Sequence, residues 1–282
     1  MTPMPTSDYH NHARWPLPQG VVDLFYEDAA EKRHLEHSLR RLFTSWSYDE
    51  LIPPTFEYAD TLASEAGTQI AEEMYRFTDR DGRTLALRPD LTVPTARVVG
   101  TRLYDQPMPL RLFYVGPVFR YERPQAGRQR EFTQAGIELV GAGTPAADAE
   151  ALALIVEALR LAGLQQFQIV LGQMAFFRGL LQEIEASAEQ VAQLQSAIDR
   201  QNPQDLTAAL DDIAAAGDVR RALASLPDLH GGIEVVDRAR DVVINETMAG
   251  ALDWLAAVYP WLEAFGVTQS VSFDLGETRG MQ

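Results

Sequence analysis

The run FRYERPQAGRQREFTQAGIE, residues 119–138, most narrows what this chain can fold into. It joins an apolar, strand-forming stretch over 110–121 to a second over 130–140, which predicts one long arginine-studded hairpin. Side chains alternate along a strand, so Phe132, Gln134, Gly136, Glu138 and Val140 share one face, and Thr133, Ala135, Ile137 and Leu139 the other. Gln134 and Glu138 therefore point the same way across Gly136. Glycine in a strand centre costs about 0.5–1 kcal/mol relative to alanine, and a ligand brought close to the backbone is one reason to place it there. The expectation is a pocket floor, with Glu138 suited to an ammonium and Arg120 to a carboxylate or phosphate. A strand with a solvated polar face is the plain alternative.

Composition bounds the function classes. With 282 residues and 46% hydrophobic content, the chain can bury a real core, as one large domain or a main domain with an insertion. Lys and Arg number 24 against 40 Asp and Glu, a net charge of −16. A surface that acidic repels phosphate backbones and argues against tRNA or DNA as the main partner, although a local basic patch can hold one anion. The cysteine count of 0 excludes disulfides, thiolate metal sites and thiol nucleophiles. No apolar run approaches the length of a membrane span, and the N-terminus lacks a signal pattern, so a cytoplasmic protein without a membrane partner is expected.

Periodicity predicts the remaining elements. Residues 1–19, with four prolines, read as an irregular arm. Leu35, Leu39, Leu42, Phe43 and Trp46 recur at helical spacing within an expected helix over 27–48. A short strand over 50–52 runs into Pro53-Pro54. Strands over 73–78 and 84–87 flank the turn Asp79-Arg80-Asp81-Gly82, and a helix over 92–103 follows. Beyond the hairpin, the pattern predicts a helix over 146–161, a strand over 167–171, and a wholly helical stretch over 173–229 broken near Asn202-Pro203, Gly217 and Pro227. A helix over 246–265 and a strand over 270–275 close the chain. Hairpins among helices without βαβ alternation indicate an α+β fold with a mixed-to-antiparallel sheet.

Two further clusters carry possible chemistry. Arg120, Arg123, Arg128 and Arg130 lie within eleven residues; they form either an anion site or a solvated ribbon paired with Glu122 and Glu131. Asp90 and Thr92, at the mouth of a strand, suit capping of the following helix and also contact with a ligand ammonium. His34 and His37 sit three apart without a third ligand, so surface exposure is the expectation and no metal is predicted. His10 and His12 fall in the arm. No phosphate-binding glycine loop, dinucleotide fingerprint or serine triad is present, and no cofactor is expected.

The segment FRYERPQAGRQREFTQAGIELVG resembles the second signature motif of class II aminoacyl-tRNA synthetases in its histidyl form. EEMYRFTDRDGRTLALRPDLT is similar to the histidine-binding segment that precedes it, and residues 42–62, with Pro54, to the first, dimer-forming motif. Within that superfamily PLPQGVVDLF and LRPDLTVPTARVV are closer to the regulatory subunits of ATP phosphoribosyltransferase, a synthetase-like branch of histidine biosynthesis. The resemblance implies a class II synthetase-like antiparallel sheet flanked by helices, divided as core 20–172, helical insertion 173–232 and C-terminal core 233–282. The last part is expected to stop short of the third class II motif. Carried over by position, it implies histidine contacts by Asp90, Thr92, Arg120, Gln134, Glu138 and Arg279, with Arg123, Arg128 and Arg130 as a weaker anion site. Met281-Gln282 departs from the synthetase pattern after Arg279, and the expected stop before the third class II motif leaves the pocket short of one wall and of a cation used on ATP.

The resemblance implies a non-catalytic chain with no catalytic residue of its own and L-histidine as effector. It also implies a homodimer core around Pro54 and a hetero-octamer with the short catalytic subunit, which joins ATP to phosphoribosyl pyrophosphate. A histidyl-tRNA synthetase fragment and a stand-alone amino-acid-binding paralogue are the rivals.

Overall fold

The computed structural model describes residues 16–63, 68–121 and 129–277. Most of the expected N-terminal arm, with His10 and His12, thus lies outside the described residues. Contacts cluster in two units, Met1–Val140 and Gly141–Gln282.

In the first unit, α1 (Tyr26–Ser45) is followed by β1 (Asp49–Glu50), β2 (Phe56–Tyr58), α2 (Ala59–Ala63), α3 (Thr68–Glu72), β3 (Arg76–Thr78) and β4 (Thr84–Leu87). Then come α4 (Thr92–Arg102), β5 (Leu110–Phe119) and β6 (Glu131–Val140). The expected turn at Asp79-Arg80-Asp81-Gly82 closes β3 on β4: Gly82 N donates to Asp79 O at 2.9 Å, and Gly82 takes a φ of 78° that disfavours other residues. The strand expected over 73–78 begins only at Arg76; α3 runs to Glu72 and closes in a turn, with Glu73 N donating to Ile70 O at 3.2 Å. The strand expected over 50–52 sits at Asp49–Glu50, with Pro53-Pro54 ending any ladder beyond it.

Strands β2-β4-β3 form an antiparallel sheet, and β1-β5-β6 a mixed one in which β1 runs parallel to β5. Strands β5 and β6 pair over their full length, Leu110 opposite Val140 and Phe119 opposite Glu131, as the hairpin pattern predicts. Helix α1 covers one face of that pair. Phe43 meets Phe113 with ring centroids 5.3 Å apart, and Arg40 Nη2 donates to Val115 O at 2.8 Å. Glu36, buried on the same helix, takes hydrogen bonds from Lys32 and Thr133, and Arg33 donates to it at 2.8 Å. Burial opposes its charge, but these three partners outweigh burial and hold the carboxyl below its ordinary value. The opposite face of β5 and β6 is left to α4 and the loop before it.

The second unit contains α5 (Pro145–Leu161), β7 (Ile169–Leu171), α6 (Met174–Leu181), α7 (Ala188–Asp199), α8 (Pro203–Asp212) and α9 (Gly217–Ser225). It continues with β8 (His230–Gly231), α10 (Glu234–Arg240), α11 (Glu246–Phe265) and β9 (Val271–Asp274). The order β7-β9-β8 makes a small sheet, with β7 parallel and β8 antiparallel to β9. Side-chain caps mark several helix starts. Thr144 Oγ1 accepts from Ala147 N at 3.2 Å ahead of Pro145, and Asn202 accepts at the head of α8 where a break was expected. Asn245 caps α11, which ends at Gly266 with φ 68°. His230 opens β8. Among the described residues, no helix is long and apolar enough to cross a membrane.

Candidate functional site

Residues directly opposite one another in an antiparallel pair share a face. On β5 and β6, Gly116 faces Gln134, Tyr114 faces Gly136 and Leu112 faces Glu138. Gln134 and Glu138 therefore flank Gly136 on one side of the sheet, as strand alternation predicts. The space over Gly136 is not open, however. A Cβ there would lie 2.6 Å from Tyr114 Oη and 2.7 Å from its ring carbons. The glycine thus admits a tyrosine ring, and the expectation that a ligand reaches the backbone at this point is corrected.

Tyr114 is 4% exposed and packs with Leu91, Val118 and Phe132. Its hydroxyl donates to Glu138 Oε1 at 3.2 Å and lies 3.1 Å from Thr92 Oγ1. Burial is the largest influence and pushes the phenol up to about 12; the Thr92 bond works against it, and the charges of Glu138 and Asp90 add to it. The hydroxyl therefore keeps its proton at neutral pH.

The loop before α4 supplies the rest. Gln134 Oε1 accepts from Leu91 N at 2.8 Å, which ties β6 to that loop. Asp90 is buried, and its Oδ1 accepts from Val93 N at 3.0 Å, the capping role expected of it. Thr92, the first residue of α4, is exposed. Arg120 Nε donates to Pro89 O at 2.8 Å, and its guanidinium lies 5.5 Å over the Phe132 ring. Arg88 is 4% exposed and crosses the same face, its Nη2 2.9 Å from where a Cβ on Gly116 would stand. It donates to Pro117 O at 2.8 Å and to Pro53 O at 2.6 Å. Burial lowers the pKa of its guanidinium, opposed by the charge of Glu57.

Asp90, Thr92, Arg120 and Gln134 are thus brought to one end of the β5–β6 face, with Glu138 joined to them through Tyr114. Arg130 stacks its guanidinium 4.2 Å over the Tyr121 ring, and its backbone N donates to Gly20 O at 2.6 Å. Arg123, Arg128 and Arg279 lie outside the described residues. Sequence reasoning missed Tyr114 and Arg88. Tyr114 sits in the middle of the apolar strand β5, which reads as core, and only the register sets it opposite Gly136; Arg88 follows β4 next to Pro89, and only its side-chain path brings it over Gly116.

The face offers a carboxylate, a hydroxyl and an amide NH2, with a guanidinium at its edge. That set suits a small ligand carrying an ammonium and an anionic group. His34 and His37 are exposed on α1, and among the described residues no group of three His, Asp or Glu is placed to hold a metal ion.

Known proteins share this architecture. The sequence profile described as histidyl-tRNA synthetase matches residues 20–282. A relative from Moorella thermoacetica, described as an ATP phosphoribosyltransferase regulatory subunit, is 45% identical over 265 residues, 93% of this chain and 68% of the relative. A crystal structure from Bacillus halodurans, titled ATP phosphoribosyltransferase regulatory subunit/histidyl-tRNA synthetase, superposes with a TM-score of 0.84 at 30% identity, covering 94% of this chain and 69% of that one. A Nostoc histidyl-tRNA synthetase superposes with a TM-score of 0.78 over 95% of this chain and 63% of that one; at 21% identity it speaks to the fold alone. The α+β, class II synthetase-like fold is therefore the one the motifs predicted. Against the first curated relatives, the chain spans 62–68% of their length.

Proposed function

The chain belongs to the histidyl-tRNA synthetase family, in its branch of ATP phosphoribosyltransferase regulatory subunits, and from that premise we propose that it regulates a short catalytic partner. The partner performs the chemistry, joining ATP to phosphoribosyl pyrophosphate in the cytoplasm, and this chain is required for assembly and carries histidine feedback. The 45% identity to the Moorella regulatory subunit over 93% of the chain is the observation that carries this reading. L-Histidine is the effector, held by Asp90, Thr92, Arg120, Gln134 and Glu138, with Arg279 as a further contact. The chain itself is non-catalytic and needs no cofactor, and its net charge of −16 agrees with a protein that does not hold nucleic acid.

A homodimer core around Pro54 and a hetero-octamer with catalytic chains complete the proposal. Exposed Phe56, Tyr58 and Phe77, on strands of one sheet with the Phe56 and Phe77 rings 5.9 Å apart, support the homodimer contact, because apolar side chains gathered on one surface favour burial against a partner.

Co-purification with a short catalytic subunit tests the assembly, followed by assays with and without histidine. The catalytic chain should gain activity on association and lose it on addition of histidine. A catalytic chain that is fully active alone and indifferent to this protein overturns the proposal. At the site, Glu138→Ala should weaken histidine binding by about tenfold or more while leaving the fold intact, since a charged hydrogen bond contributes roughly 1.5–3 kcal/mol. Calorimetry showing unchanged affinity counts against the pocket. The family profile also favours a second reading, a histidyl-tRNA synthetase fragment; robust charging of tRNA with labelled histidine would select it.

A further inference from the structure

Three side chains in the candidate site form a line of hydroxyl and carboxyl oxygens: Thr92 Oγ1 and Tyr114 Oη stand 3.1 Å apart, and Tyr114 Oη and Glu138 Oε1 3.2 Å apart. We infer that Tyr114 is a positioning and specificity-determining residue, which fixes the direction of the protons along this line so that Thr92 faces the ligand as an acceptor. The inference rests on the reading of this face as an amino-acid site and deepens it.

The argument is one of counting protons. A carboxylate only accepts, whereas a phenol and an alcohol each carry one proton and lone pairs. Glu138 therefore takes the single proton of Tyr114. Tyr114 Oη then has only lone pairs to offer Thr92, so Thr92 must donate to it. With its one proton committed, Thr92 Oγ1 can only accept from anything on its exposed side. Burial keeps the tyrosine proton from leaving, as its pKa of about 12 indicates. The ring cannot turn away, since it is 4% exposed and seated over Gly136.

An ammonium has three donors and no acceptor, so a hydroxyl turned acceptor selects it over a group without N–H. Remove the tyrosine hydroxyl, and the Thr92 hydroxyl is free to rotate its proton toward the ligand. The selection is then lost, although Thr92 and Glu138 both remain.

The test measures binding of L-histidine and of imidazole propionate, which lacks the amine, by calorimetry on the wild-type protein, Tyr114→Phe, Thr92→Val and the double variant. Wild type should prefer histidine. Tyr114→Phe should weaken histidine by about tenfold or more and change imidazole propionate by less than about twofold. Thr92→Val should behave alike, and the double variant should lose little beyond either single one, as members of one chain do. Thr92→Ser, which restores the hydroxyl, should restore the preference, and with Thr92→Val it carries the test if Tyr114→Phe fails to fold.

The inference is overturned by a Tyr114→Phe protein that binds histidine as wild type does. Equal losses for both ligands, or losses that simply add in the double variant, overturn it as well. A wild-type protein that ignores L-histidine overturns the ligand reading of the site, and with it this inference. Wild-type histidine binding without any loss in the variants overturns the inference alone.

Discussion

Tyr114 and Arg88 occupy the face proposed for the ligand only because the residues opposite or beneath them are glycines. Gly136 has no side chain where the tyrosine ring rests, and Gly116 none where the Arg88 guanidinium crosses. Gly136→Ala would push a methyl group to within 2.6–2.7 Å of Tyr114 Oη, Cε2 and Cζ. A buried ring cannot yield as the end of a flexible chain can, so the variant should lose about 1–3 kcal/mol of stability, read as a lower urea midpoint. The phenol also sets a pH dependence. Its folded pKa of about 12 stands above the ordinary value of 10.0. Its contribution is therefore complete below about pH 10 and declines as pH rises toward about 12, because the unfolded chain releases the proton first. Urea midpoints measured across that window should fall for wild type, with a shallower fall for Tyr114→Phe. Alternation by two residues made the shared side of Gln134 and Glu138 legible in the sequence. The tyrosine was not legible, because the eleven residues between Phe119 and Glu131, the last paired positions, are too many to fix register.

Elements show the same division between local and distant causes. Helix α11 was legible over its full length because Asn245 caps its start, Gly266 ends it and its apolar spacing is continuous. Helix α10, Glu234–Arg240, went unread; seven residues carry too little periodicity to stand out. That β1 pairs parallel to β5, and β7 to β9, depends on contacts far apart in the chain, which no local pattern announces. Arg88 shows how such contacts connect functions. Its guanidinium holds Pro53 O and Pro117 O, its backbone N donates to Thr55 O at 3.0 Å, and Phe119 N donates to its O at 3.0 Å. One residue thus joins the start of the loop bearing Asp90 and Thr92 to the segment proposed for the homodimer contact. Just beyond that segment, Phe56 lies 5.9 Å from Phe77, ring to ring and edge-on, with both rings exposed. Phe56→Asp places a charge where the proposed partner surface would bury it, and should weaken the dimer by about 2 kcal/mol or more. Sedimentation velocity over a dilution series would show a monomer appearing at higher concentration than for wild type; an unaltered profile rejects this face as the contact.

At the scale of the whole molecule, a regulatory chain acts only through differences in binding. Histidine can inhibit a catalytic partner only if it binds the inhibited assembly more tightly than the active one, and couplings of about 1–3 kcal/mol correspond to roughly 5–150-fold. Linkage makes that coupling reciprocal, so whatever factor histidine imposes on substrate affinity, the substrates must impose on histidine. This supplies a test that needs no knowledge of the route between sites. Histidine affinity should be measured by calorimetry on the reconstituted assembly, with and without ATP and phosphoribosyl pyrophosphate at saturation under conditions that block turnover. The substrates should weaken histidine by the factor by which histidine weakens them. Glu138→Ala should reduce histidine affinity in both states while leaving the ratio between them unchanged, because it alters the pocket and not the equilibrium the pocket reports on. Equal histidine affinity in the two states would mean that the chain binds its ligand without transmitting it, and feedback would have to arise elsewhere in the assembly.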